Sequence, residues 1–243
     1  MQTELQNNKF NSKFFKFIYP KINSNIKISS YWGWNKSLVS NLSFKNSDVI
    51  NNFFIKKNFP SILHKEKIFI VVSGKSKFKS NKKNLSLKKF DAVSIFSDSF
   101  DYSFECNKDT QLFIISSEKF KKRKHKSIFF NFKKDMKMID IWGGRCLSRP
   151  YSGIELNIVL FDLKRGFSFS DQGHSNEQIT WLISGSMSFY SDKIKGKLTK
   201  KKGVDIGFYH KHGGLSNGAI GFDAFFPKRN ENKYKHKVNV IKF

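Results

Sequence analysis

Phe169-Ser170-Asp171-Gln172-Gly173-His174-Ser175-Asn176-Glu177-Gln178-Ile179-Thr180-Trp181-Leu182-Ile183-Ser184-Gly185 is the stretch whose reading decides the fold. From Gln178 to Ile183 it is rich in β-branched and aromatic residues, and it ends at a Ser-Gly turn, as a strand entering a bend does. Side chains alternate along a strand, so residues at even separations face the same side. By that count Gln172, His174 and Gln178 share one face. Glu177 has the opposite parity and reads as a structural, ion-pairing residue.

Outward from this stretch, short β-rich runs alternate with Gly, Asn, Ser and Asp, the rhythm of an all-β barrel or sandwich. Residues 154–163, 203–207 and 220–226 read as further strands in the second half, and residues 67–74, 75–79, 91–96 and 111–116 in the first. Helical periodicity is scarce, with one short helix expected near residues 46–55. Aligning Ser73-Gly74 with Ser184-Gly185 offsets the halves by about 110 residues, as a duplicated β-barrel would. The boundary is expected within residues 117–135, giving domains 1–125 and 126–243.

The quoted stretch resembles the first motif of the cupin family, in which two His separated by one residue precede Glu or Gln, six residues and a Gly. His174 takes the second His position, Gln178 the Glu/Gln position and Gly185 the Gly; Gln172 stands where the first His would be. The second cupin motif is similar to Gly203-Val204-Asp205-Ile206-Gly207-Phe208-Tyr209-His210-Lys211-His212-Gly213-Gly214, with His212 as ligand because it precedes a Gly pair. His210 shares its parity and is the alternative. The ending Asp223-Ala224-Phe225-Phe226-Pro227-Lys228-Arg229 also looks like the close of known cupins, and the style of these motifs is most like two-domain isomerases of the kind found in bacilysin biosynthesis.

This resemblance implies an all-β fold of two tandem cupin (double-stranded β-helix, or jelly-roll) barrels. It implies one divalent transition metal (Fe, Mn, Ni, Zn or Co) held by Gln172, His174, Gln178 and His212, donors of the type such metals accept. The first half fits the motifs poorly. His64-Lys65-Glu66-Lys67 precedes Gly74 with Leu63 and Lys67 at ligand positions, and Asp101-Tyr102 follows where a His is needed. That domain is expected to be metal-free. The implied function is that of a metal-dependent isomerase or lyase acting on a small oxygenated acid or sugar acid by Lewis-acid stabilisation of an enolate. An iron-dependent dioxygenase and a non-catalytic sugar- or effector-binding protein are the alternatives. Arg149 and Tyr151 are expected to cap the barrel mouth as catalytic or substrate-holding groups, with His210 as a proton shuttle; Arg229 is a second candidate for an anion.

A formal charge of +26 raises nucleic-acid binding as a function. Nearly all of it is Lys, dispersed through a chain that is also rich in Phe, Asn and Ile, the residues AT-rich codons supply. The dense run from Lys119 to Lys126 falls where a solvated linker belongs. The expected ligand is therefore a small, anionic molecule and not a nucleic acid. Two cysteines, Cys106 and Cys146, are too few for a disulfide framework. No stretch is long and apolar enough for a signal peptide or membrane span. A cytoplasmic protein, able to form a homodimer, is expected.

Overall fold

Two glycines in the left-handed region shape the two halves. Gly185 (φ +75°) sits within the 15-residue strand Glu177–Ser191, and the pairing register slips on either side of it, between Leu182 and Ser184 and between Gly185 and Met187. A Cβ at Gly185 would overlap the Gly218 carbonyl oxygen, so only glycine lets the two strands approach this closely. Gly74 (φ +72°) holds the matching corner between strands Lys67–Ser73 and Ser76–Ser80, where a Cβ would lie 2.6 Å from Thr110 Cα. At such a corner the chain leaves one sheet and enters the next, as a jelly roll requires.

The computed structural model describes residues 15–18, 20–22, 25–33, 37–63, 65–96, 101–117, 127–140, 145–191, 194–200, 203–229 and 241–242. The chain is all-β and forms two tandem jelly-roll units. One comprises Pro20–Met136 and His236–Phe243, the other Met1–Tyr19 and Lys137–Lys235. The first contains an eight-stranded and a four-stranded sheet; in the second, nine strands are hydrogen-bonded continuously through the long strands Glu177–Ser191 and His212–Phe226.

The observed division differs from one at residues 125/126. Strand Ile128–Asn131 pairs antiparallel with Asp91–Ile95, which holds the chain to Met136 in the first unit. The terminal strands are also exchanged. Phe15–Ile18 pairs with Gly203–Ile206 of the second unit, and Ile241–Lys242 with Ile128–Asn131 of the first. The basic run from Lys119 to Lys126 lies outside the described residues. The short helix spans Asn52–Asn58, later than expected, because Asp48–Asn51 is drawn into a strand and the Asn51 side chain caps the helix by accepting from Phe54 N–H at 3.0 Å.

The first unit is filled by aromatic rings: Phe69 stacks on Phe104 at 4.4 Å, and Phe78 lies 5.1 Å from Phe104. The second unit instead encloses a cavity of about 470 Å³. No helix among the described residues is long and apolar enough to cross a membrane.

Candidate metal centre

The strand pair Ser168–Asp171 and His212–Phe226 places Asp171 directly opposite His212, so their side chains leave the same face at the cavity wall. The chain then turns sharply. Asp171 Oδ1 accepts from Gly173 N–H at 2.8 Å, an Asx turn, and Gly173 adopts φ +97°. A Cβ at Gly173 would lie 2.7 Å from the Tyr209 carbonyl carbon. After the turn, His174 stands beside His212, their rings meeting edge to face at 5.5 Å. Ligand atoms of Asp171, His174 and His212 all lie within 4.8 Å of one another.

Each imidazole is held by a neighbour. His212, 3% exposed, bonds the His210 carbonyl through Nδ1 at 2.9 Å. A carbonyl only accepts, so Nδ1 carries the proton and Nε2 keeps its lone pair, the usual way a ligating histidine is fixed. His174 Nε2 meets Gln178 Oε1 at 3.0 Å. The glutamine amide is oriented by its other end, which donates to Thr180 Oγ1 and to Asp223 Oδ1, both at 3.0 Å. His174 Nε2 and Gln178 Oε1, 3.0 Å apart, beside the His212 lone pair and the Asp171 carboxylate, are a set of donors that suits a divalent cation. The described residues therefore fit a metal.

Burial pushes both histidines below their ordinary titration range. Arg229 contributes to the lowering in each, and the Gln178 amide counters it in part for His174. Neutral imidazoles are the form that binds metal. Burial also raises the Asp223 carboxyl to about 6, opposed by hydrogen bonds from Thr180, at 2.6 Å, and Gln178. Arg229 lines the same cavity, its guanidinium carbon 5.0 Å from the centre of the Phe225 ring.

Of the residues expected from sequence, His174, Gln178 and His212 are brought together. Gln172 is exposed and absent from the cavity wall, because the strand ends at Asp171 and the turn at Gly173 breaks the alternation on which that expectation rests. Asp171 stands there instead. Arg149 and Tyr151 do not line the cavity either. They alternate with Cys146 and Ser148 on strand Cys146–Ser152, and it is the latter two that face inward. The Arg149 guanidinium instead donates to Met138 Sδ at 3.3 Å. His210 contributes its carbonyl to His212, while its ring is not part of the wall. Glu177, as its parity requires, is fully buried away from the cavity. Asp171, Thr180 and Asp223 are the inward groups that motif spacing did not single out. Asp223 shares parity with Phe225 on its strand, and the Asp-x-Gly turn marks Asp171.

No protein-family model matches the chain, and no curated protein matches its sequence. Its structure is similar to those of the putative glyoxylate-induced protein from Pseudomonas aeruginosa (TM-score 0.71, 9% identity, covering 89% of this chain and 90% of that one) and a cupin 2 conserved barrel domain protein from Leptotrichia buccalis (0.59, 12%, 90% and 99%). It is also similar to the oxalate decarboxylase of Bacillus subtilis, a protein with Mn(II) centres (0.62, 7%, 96% and 80%). At these identities the likeness establishes the fold: two tandem cupin barrels.

Proposed function

We propose that this chain is a metal-dependent enzyme, an isomerase or lyase acting on a small anionic oxygenated acid or sugar acid, with its centre in the second barrel. The observation that carries this reading is the convergence of Asp171, His174 and His212 within 4.8 Å, beside a cavity that Asp171, His212 and Arg229 line. These three residues, with the Gln178 amide oxygen beside His174, would hold one divalent ion. Such an ion supplies Lewis-acid stabilisation of negative charge developing on a carboxylate or carbonyl substrate. Arg229 fixes the substrate's carboxylate by a charge-assisted fork. Asp223, inside the cavity, is placed to hold or move a proton at its carboxylate. The Mn(II) centres of the structurally similar oxalate decarboxylase favour the same class of chemistry.

The surplus lysines are not part of this function. The ligand is a small molecule, and any association with nucleic acid is weak and falls steeply with salt.

A second reading has its own support. Two histidines and one carboxylate form the ligand set of non-haem iron oxygenases. Oxygen consumption by the iron-loaded protein would favour it over the isomerase.

Metal analysis tests the centre directly. The protein should carry one equivalent per chain, and His174→Ala or His212→Ala should abolish it. Two equivalents, or retention in both variants, would overturn the assignment.

A further inference from the structure

The cavity has two chemically different ends, and the pairing register shows how they are arranged. Thr180 and Val159 both pair with Asp223, and Gln178 pairs with Phe225, so the polar groups share one level of the barrel, with Asp171, His212 and Arg229 on the same wall. Along strand Asn157–Leu163 the inward residues after Val159 are Phe161 and Leu163. From Val159 to Leu163 is about 13 Å at the rise of a strand. Around that far end stand Phe167 and Met187, while Phe189, stacked on the His212 ring at 5.9 Å, links the two ends; all three belong with Phe161 and Leu163 to one buried apolar cluster. The polar side chains there are Cys146 and Ser148, and they face each other, sulfur to hydroxyl oxygen, at 3.5 Å. Asp140 and Ser170 are exposed, at the rim.

We infer that the substrate is a carboxylate carrying an apolar group of about the size of a phenyl ring or branched alkyl chain, and not a polyhydroxylated sugar acid. This rests on the metal-dependent reading of the same site and narrows its substrate class. The anionic head lies among the metal-binding donors and Arg229; the tail fills the apolar end. A sugar acid of similar length would bring several hydroxyls against Phe161, Leu163, Phe167 and Met187, where Cys146 and Ser148, already turned to each other, are too few to replace the water those hydroxyls lose. An apolar tail gains from leaving water at the same place. A cavity of about 470 Å³ is large enough for a head group and a ring, within the range of ordinary ligand sites.

The test uses the full chain loaded with Mn(II), its metal content measured on the same preparation, and calorimetric titration with three probes. 3-Phenylpropionate should bind at least tenfold more tightly than D-galacturonate. 3-Phenylpropylamine, with the same tail and a cationic head, should not bind. Met187→Gln, close in shape but polar, should weaken 3-phenylpropionate at least fivefold while leaving metal content unchanged. Cys146→Ser, checked by circular dichroism, serves the same purpose if Met187→Gln does not fold. Equal or tighter binding of galacturonate, binding of the amine, or no binding of any probe to metal-loaded protein would overturn the substrate class and leave the metal centre standing. Absence of metal would instead overturn the reading on which it rests.

Discussion

Lys67 and Gln178 occupy the same point of the two barrels. Lys67 pairs with Ile95 and Ser116, and Gln178 with Ile206 and Phe225. Two residues further along, Phe69 of the first barrel answers to Thr180 of the second. On the returning strand, Phe104 lies opposite Phe78 as Gly214 lies opposite Phe189, so Tyr102 stands where the second barrel has His212. One scaffold has thus been used twice with different filling. In the first barrel Lys67 is fully buried, its ammonium turned back onto the carbonyls of Ile62 at 3.4 Å and Lys65 at 3.1 Å, and rings close the interior. In the second, Gly214 in place of a phenylalanine and Thr180 in place of another leave room, and polar donors point into it. Among the described residues no cluster of metal-binding side chains stands in the first barrel. A handful of inward positions, and not the strand framework, separates the ring-filled interior of the first barrel from the open one of the second.

The largest test of this contrast is mechanical. Phe69→Ala opens a void in a filled core and should cost about 3–5 kcal/mol of stability. Phe161→Ala enlarges a space already present, beside a wall packed on one side only, and should cost about 2 kcal/mol. Chemical denaturation of the two variants, with the transition of each barrel followed separately, checks the difference. Equal losses would mean that the two interiors are packed alike.

A smaller and more specific effect is expected at the paired positions. Gln178→Glu adds a negative charge beside His174 and should tighten metal binding about tenfold while weakening an anionic ligand by a similar factor, about 1.4 kcal/mol each. The gain is held down because the new carboxylate would face Asp223, which Gln178 contacts at 3.0 Å, and two adjacent carboxylates resist ionising together. Lys67→Gln gives the first barrel the second's residue and should leave the stoichiometry at one metal, since no histidine stands at Tyr102. If Gln178→Glu alters neither affinity, Gln178 is not at the metal. Metal titration and ligand binding on one preparation read both.

Much of this contrast is legible before any coordinates. The two Ser-Gly corners locate the duplication because only glycine tolerates the left-handed turn and close crossing at Gly74 and Gly185. Lys67 and Tyr102 mark the first barrel as unsuited to a cation by residue type alone. Alternation brings His174 and Gln178 to one wall, but it misplaces the third donor, since it assumes that the strand continues through Gln172. The chain turns at Gly173, and Asp171 takes the inward direction. Arg149 and Tyr151 illustrate the same limit: parity says that alternate residues face alike, not which set faces inward. The exchanged terminal strands are not legible at all, because a run such as Phe15–Ile18 has the pattern of a strand and carries no sign of which barrel it will join.

The finest contrast lies in the two thiols, one in each barrel. Burial raises Cys106 to about 12, its hydrogen bond to Ser76 opposing the shift, and raises Cys146 to about 11, opposed by Ser148. Only the thiolate is nucleophilic, so at pH 8 about one molecule in a thousand is reactive at Cys146 and about one in ten thousand at Cys106. Both should resist alkylation in the folded protein and react fully once it is unfolded in denaturant. The rate should climb about tenfold per pH unit, because deprotonation lies far above the working range and each unit multiplies the thiolate fraction by ten. Cys146, the less strongly raised of the two, should react faster at neutral and mildly alkaline pH. It also lines the cavity, whereas Cys106 is sealed within the first barrel's core. A ligand seated at the apolar end should therefore slow Cys146 and leave Cys106 unchanged. Mass-spectrometric mapping of the alkylated peptides, with and without 3-phenylpropionate, separates the two. Equal labelling of both thiols at pH 8, or protection of Cys106 alone, would contradict the picture of one filled barrel and one open one.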